Sequence, residues 1–290
     1  MLVLPSGARG QPAGKLKAVA SFSVVADFVR NVGGERIELV TLVGPDGDAH
    51  VYSPTPADGR RLAEAKLVFV NGLGFEGWIS RLVRSSGTKA TVVETARGAA
   101  AIAEAGGRGH GHGAGAVDPH AWQSVANAKV YVATIRDALI AADPDGRPTY
   151  EANAADYTAR LDALEREVRS AVERIPPERR RVITSHDAFG YFERAYGIDF
   201  VAPQGVSTES EASARDVARI IEQIRKERIG AVFVENISDP RLIQRIARET
   251  GAKIGERLYS DALSGPNGPA ATYIDMMRHN IRALSTALAS

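Results

Sequence analysis

The sequence predicts an α/β protein of two lobes, each with a small parallel sheet flanked by helices, joined by one long rigid helix. Three observations carry that expectation. Short apolar runs alternate with helix-period segments through the first half, and the same alternation returns in the second half. Between the halves, one apolar stripe persists from Tyr150 to Ile175. Strands alternating with helices are the pattern that a parallel sheet with crossover helices requires.

In the first half, Lys17–Phe22, Glu38–Val43, Leu67–Val70 and Thr91–Val93 read as buried strands. Helical patterns fill the gaps at Val24–Val32, Ala57–Ala65 and Phe75–Arg84. The second half offers the strands Arg181–Thr184, Asp199–Val201, Ala231–Val234 and Ala252–Ile254. Its helices fall at Ala188–Tyr196, Ser213–Glu227, Pro240–Thr250 and Ala270–Ala287. The central stripe is built from Tyr150, Tyr157, Leu161, Leu164, Val168, Val172 and Ile175, with Pro148 suited to a first turn and Pro176-Pro177 as the stop. Such a helix spans roughly 40 Å, enough to run along both lobes, and it resists bending. The expected units are residues 15–147 as the N-terminal lobe, 148–175 as the linking helix and 176–290 as the C-terminal lobe.

Composition narrows the function classes. A chain of 290 residues, 44% hydrophobic and 24% charged, is an ordinary globular protein with room for two lobes. Its 36 basic and 35 acidic residues leave a net charge of +1, which gives no electrostatic reason for a nucleic-acid partner. There is no cysteine, so disulfides, thiolate zinc sites and cysteine nucleophiles are excluded together. Within Met1–Gly14 the only apolar run is Leu2-Val3-Leu4, too short for the core of an export signal or for a membrane span. The protein is therefore expected either to be cytoplasmic or to begin, in this sequence, after a removed export signal.

Four residues stand out among few convergent polar groups. His50 lies in Gly44-Pro45-Asp46-Gly47-Asp48-Ala49-His50, where a strand ends and Thr55-Pro56 opens a helix. His120 lies in Asp118-Pro119-His120-Ala121-Trp122, just before a helix expected from Gln123. His186 follows a strand, in Thr184-Ser185-His186-Asp187-Ala188-Phe189-Gly190, and Asp261 sits in Tyr259-Ser260-Asp261-Ala262-Leu263-Ser264. A single loop histidine is usually a surface or capping residue. Three imidazoles and one carboxylate together, however, complete a tetrahedral zinc shell, and loops after strands are where an α/β fold gathers ligands.

All four contexts, in order, resemble those of the solute-binding proteins of zinc and manganese ABC importers, the metal-specific (cluster A-I) group of periplasmic binding proteins. The matching signatures are H-x-Y-x-P-T-P at His50, D-P-H-x-W at His120, S-H-D-A-F-G-Y-F at His186 and Y-S-D-A-L-S at Asp261. Two further stretches, Asn71–Trp78 and Phe233–Pro240, are similar as well, so the resemblance runs from about Lys17 to the C-terminus. It implies metal held in an interlobe cleft by His50 and His120 from the first lobe and His186 and Asp261 from the second. It also implies a periplasmic monomer that carries Zn²⁺ as cargo to a membrane permease.

Histidine rather than glutamate at position 186 favours zinc over manganese, since manganese prefers more oxygen ligands. The glycine-rich segment Gly106–Gly115 stands where relatives carry a longer histidine-rich loop. Its His110 and His112 are expected to collect zinc weakly or to meet a periplasmic zinc chaperone, with a flexible linker carrying incidental histidines as the alternative. Metal release is expected to be local, with the His50 loop swinging out while His120 stays in place.

Gly72-x-Gly74-x-x-Gly77 is formally a dinucleotide fingerprint, but it follows the third strand rather than the first, and a plain tight turn is the simpler reading. A zinc hydrolase needs an open coordination position and a general base; four protein ligands close the shell, and no His-Glu-x-x-His or Gly-x-Ser-x-Gly motif is present. Glu209 and Glu211 are candidates for orienting a ligand imidazole, with a surface acidic loop as the equal alternative. Trp122 is expected to pack beneath the His120 loop, and His279 to face solvent on the last helix.

Overall fold

The computed structural model describes residues 14–103 and 117–289. The first sheet contains β1 (Leu16–Phe22), β2 (Ile37–Val43), β3 (Leu67–Val70) and β4 (Thr91–Glu94), all parallel in the order β2-β1-β3-β4. Helices α1 (Ser23–Gly33), α2 (Pro56–Glu64) and α3 (Ile79–Ser86) connect them. The second sheet repeats the plan with β5 (Arg181–Ile183), β6 (Asp199–Val201), β7 (Ala231–Val232) and β8 (Lys253–Ile254), parallel in the order β6-β5-β7-β8. Its helices are α6 (Gly190–Tyr196), α7 (Ala214–Glu227), α8 (Pro240–Thr250) and α9 (Tyr273–Leu288). Between the sheets lie α4 (Val125–Ala142) and α5 (Arg147–Glu173).

Helix α5 buries Tyr150, Tyr157, Leu161, Leu164, Val168 and Val172, the stripe legible in the sequence. It packs against α1, α4 and α9. Helix α9 thereby returns from the second sheet to the first lobe, where Tyr273 meets Phe28 edge-on at 4.7 Å. One apolar core runs from the first sheet through α5 to the inner face of the second lobe. A smaller cluster under α7 and α8, built on Ile220, Ile224, Ile243 and Ile246, completes the outer layer. Among the described residues no helix is long and apolar enough to cross a membrane.

Several helices start later than their periodicity predicts, and two of these shifts have a visible cause. Helix α3 begins at Ile79 rather than Phe75, because the buried Glu76 carboxylate turns back to accept from the backbone N–H of Asn71 at 2.7 Å and of Gly72 at 3.4 Å. Gly72, Leu73 and Gly74 take left-handed conformations to make this turn, with φ of 85°, 56° and 81°. The amides that a dinucleotide phosphate would need are thus occupied internally, which leaves the glycine pattern as a tight turn. Helix α4 begins at Val125, preceded by a separate 3-10 turn at Ala121–Gln123. Trp122 and Gln123 are drawn aside there by hydrogen bonds to Ser260 across the molecule.

His279 does not face solvent. It is 6% exposed, its Nε2 donates to the Arg257 carbonyl at 2.8 Å and its ring meets Tyr259. Its helix buries most of its surface between α5 and the second lobe, a position a helical period alone cannot reveal.

Candidate metal centre

Every sequence-predicted ligand lies beyond the carboxyl end of a strand or in the loop facing it, where open α/β sheets assemble sites. His50 follows β2. A turn closed by Gly47 N–H to Gly44 carbonyl places Asp48, whose Oδ1 accepts from the His50 backbone N–H at 2.9 Å. Trp78 Nε1 donates to the Ala49 carbonyl at 2.7 Å, and the Phe75 ring lies 4.5 Å from that of His50.

His120 is held within its own loop. Asp118 Oδ1 accepts from both the His120 backbone N–H, at 2.9 Å, and the ring Nδ1, at 2.8 Å. Nδ1 therefore carries the hydrogen, and Nε2 presents its lone pair to the centre. His186, after β5, faces a carboxylate from the segment that follows the neighbouring strand β7. Glu235 Oε2 lies 2.6 Å from His186 Nδ1, and its Oε1 accepts from the backbone N–H groups of Ser185 and His186. Asp261 is placed by α9, where Asn280 exchanges hydrogen bonds with both backbone groups of Tyr259. Ser260 carbonyl accepts from Trp122 Nε1 at 2.9 Å and Gln123 Nε2 at 2.8 Å, which ties the Asp261 loop to the His120 loop.

The four side chains converge. Asp261 Oδ2 lies 3.1 Å from His50 Nε2, 3.1 Å from His186 Nε2 and 3.5 Å from His120 Nε2. His50 Nε2 and His120 Nε2 are 3.3 Å apart, and all four ligand atoms fall within 4.8 Å of one another. A tetrahedron with metal–ligand bonds of 2.0–2.1 Å has edges of roughly 3.3 Å. His120, His186 and Asp261 are at 0% exposure and His50 at 5%. Neutral core packing does not gather three imidazoles and a carboxylate at these distances.

The electrostatics are those of a site that holds protons when no cation is bound. Burial works against a charged His120, but the Asp261 and Asp118 carboxylates outweigh it and push its pKa up to about 9. Burial likewise opposes charge on His186, and Glu235 and Asp261 overcome it, raising that imidazole well above its ordinary value. His50 goes the other way: burial lowers it and Asp261 only partly offsets this. Burial would raise the Asp261 carboxyl, yet His120 and His186 hold it well below the usual carboxylate range.

Glu209 and Glu211 are exposed and touch none of the imidazoles; the orienting carboxylates are Asp118 and Glu235 instead. The first was visible in the sequence, since Asp two residues before His is an Asx-turn spacing. The second needs the adjacency of β5 and β7. Trp122 is fully buried beneath the site, in contact with Phe22, Phe75 and the His120 ring. His110 and His112 lie outside the described residues.

Known proteins resemble this chain in sequence and in fold. Residues 18–287 match the family model described as ZnuA, zinc-uptake complex component A, periplasmic. The manganese-binding lipoprotein MntA of Halalkalibacterium halodurans is 34% identical over 275 residues, covering 94% of this chain and 88% of that protein. Among solved structures, the periplasmic zinc-binding protein TroA from Treponema pallidum superposes with a TM-score of 0.88 at 31% identity, over 96% of this chain and 100% of that one. A manganese-bound periplasmic metal-binding protein from candidatus Liberibacter asiaticus gives 0.84 at 28% identity, over 94% of this chain and 100% of that one. The chain belongs to the ZnuA family: it is the metal-binding component of an ABC importer, partnered by a membrane permease, and not an enzyme.

Proposed function

We propose that this protein captures Zn²⁺ in the periplasm through His50, His120, His186 and Asp261 and delivers it to its permease. The observation that carries the reading is the spacing of the four ligand atoms: four of their six separations are 3.1–3.5 Å, near the edge of a zinc tetrahedron, and all lie within 4.8 Å. The nitrogen-rich donor set supports zinc over manganese, and the Nδ1 carboxylates on His120 and His186 increase the basicity of those two donors. Residues 15–147 and 176–290 form the two lobes that supply two ligands each, and 148–175 the helix between them. In this reading the protein acts as a monomer, and the segment with His110 and His112 receives zinc from a periplasmic chaperone.

A manganese or mixed-metal role is the second reading, and one atom favours it. Asp261 Oδ1 is buried without a hydrogen-bond partner, so the carboxylate has a second oxygen available to raise the coordination number. The names of the manganese-binding relatives point the same way.

A competition titration of chelator-stripped protein with Zn²⁺ and Mn²⁺ decides between them, run beside His50→Ala and His186→Ala. One tight zinc equivalent, weakened in both variants and poorly displaced by manganese, is the expected result. Manganese displacing zinc at comparable concentration would replace the zinc assignment, and no stoichiometric metal at all would end the reading.

A further inference from the structure

The three imidazoles are not held alike. His120 and His186 each have a carboxylate on Nδ1 supplied from their own lobe. Among the described residues, no hydrogen bond or ion pair reaches His50 through its Nδ1. Its position is set through its loop instead, and that loop is fastened mainly to the opposite lobe.

Three bonds to that lobe make the fastening, and a fourth inside the loop carries it to His50. Thr208 Oγ1 donates to Asp48 Oδ2 at 2.6 Å, while the other oxygen of the same carboxylate takes the His50 backbone N–H. Asn236 Nδ2 donates to Asp46 Oδ1 at 3.0 Å, and the Asp46 backbone N–H donates to the Leu263 carbonyl at 2.9 Å. Asp46 is one of only three non-glycine residues with positive φ among those described, at 54°, and these two bonds hold it there. Thr208 belongs to the loop after β6, which pairs with the His186 segment through Gln204 and Gly205. The Asp48 carboxylate therefore links the His50 loop to the His186 loop. His50 is also the one ligand with any solvent exposure, and Val51 beside it is half exposed.

We propose that Thr208, assisted by Asn236, is a positioning residue for metal capture: its hydroxyl latches Asp48 and so holds His50 on the cation, and release of zinc begins when that latch opens. This rests on the metal-site reading above. It assigns control of release to polar residues of the second lobe that touch no ligand atom. The hydroxyl, half buried and bonded to a carboxylate, is removable without disturbing the core.

The test is the rate of zinc transfer to a chromophoric chelator, by stopped flow, for the full chain and for Thr208→Val, Thr208→Ser and Asn236→Ala. Losing one hydrogen bond to a charged group should speed release about 10- to 100-fold in Thr208→Val. Thr208→Ser should restore a rate near that of the unmodified protein, and Asn236→Ala should fall between the two. The visible spectrum of bound Co²⁺ should stay tetrahedral in all of them, a readout that a collapsed site would change. Release from Thr208→Val at the unmodified rate overturns the latch, as does equal acceleration in Thr208→Val and Thr208→Ser. Loss of the tetrahedral Co²⁺ spectrum in Thr208→Val also overturns it, because the residue would then shape the site itself. If the unmodified protein holds no stoichiometric zinc, the metal-site reading fails first, and the two failures are told apart.

Discussion

Zinc affinity should climb steeply with pH through the neutral range, and the slope can be worked from the site. A ligand imidazole must be neutral, so every proton resident on the metal-free site at a given pH has to leave. At pH 7, His120, pushed up to about 9 against its burial by Asp261 and Asp118, still carries its proton, and so does His186, which Glu235 and Asp261 raise well above its ordinary value against its own burial. His50 is lowered by burial and Asp261 is already ionised, so neither adds to the count. About two protons are therefore released per zinc, which makes the apparent affinity rise about 100-fold between pH 7 and 8. The sign follows because raising pH removes the competitor; the dependence flattens once pH passes the raised imidazole values.

Reference histidine values alone would place the loss of affinity below about pH 6, and the two flanking carboxylates move it upward. Isothermal titration in two buffers of different protonation enthalpy counts the protons, and chelator competition from pH 6.5 to 8.5 gives the slope. Asp118→Asn keeps an acceptor for Nδ1 but removes its charge, and should lower the proton count towards one. A count near zero at pH 7, with affinity flat from pH 7 to 8, would refute the electrostatic account of the site.

Two further outcomes follow from the packing. Glu235→Gln should weaken zinc about 10- to 100-fold, because His186 loses the charge that orients and enriches it; unchanged affinity by chelator competition would remove Glu235 from that role. Leu161→Ala, at a fully buried position in the α5 stripe, should cost about 2–5 kcal/mol in urea unfolding. A cost under about 1 kcal/mol would mean that α5 is a strut lying on the lobes rather than part of their shared core.

Most of the framework was legible because the chain obeys its local rules. β-branched residues fill the strand runs, prolines open α2, α5 and α8, and the apolar stripe of α5 keeps one period across its length. The ligands were legible because each sits in a short loop with its own turn chemistry. What escaped was long-range. Glu235 lies 49 residues from His186 and reaches it only because β5 and β7 are neighbours. Glu76 falls at the start of the expected helix Phe75–Arg84, and only the fold shows its carboxylate buried on Ser21 Oγ and two backbone amides. His279 looks like any polar residue of a terminal helix until the Arg257 carbonyl is placed opposite it. In each case a buried polar group has a partner far away in sequence, and no periodicity encodes that partner.

The same long-range packing decides how the centre can open. A lobe rotation wide enough to part Asp261 from His120 must pull Ser260 off both Trp122 and Gln123. It must also uncover Trp122, which is fully buried beneath the site against the Asp261 loop. Exposing one buried tryptophan of about 150–250 Å² costs on the order of 4–6 kcal/mol, before its lost hydrogen bond is counted. Moving the His50 loop alone breaks a few polar contacts at the protein edge, each worth about 1.5–3 kcal/mol at most and replaceable by water. The shared core, continuous from the first sheet through α5 to the second lobe, thus makes the local route the cheaper one. On that argument the imidazole without its own carboxylate is the ligand that moves, and the two that have one stay to receive the next ion.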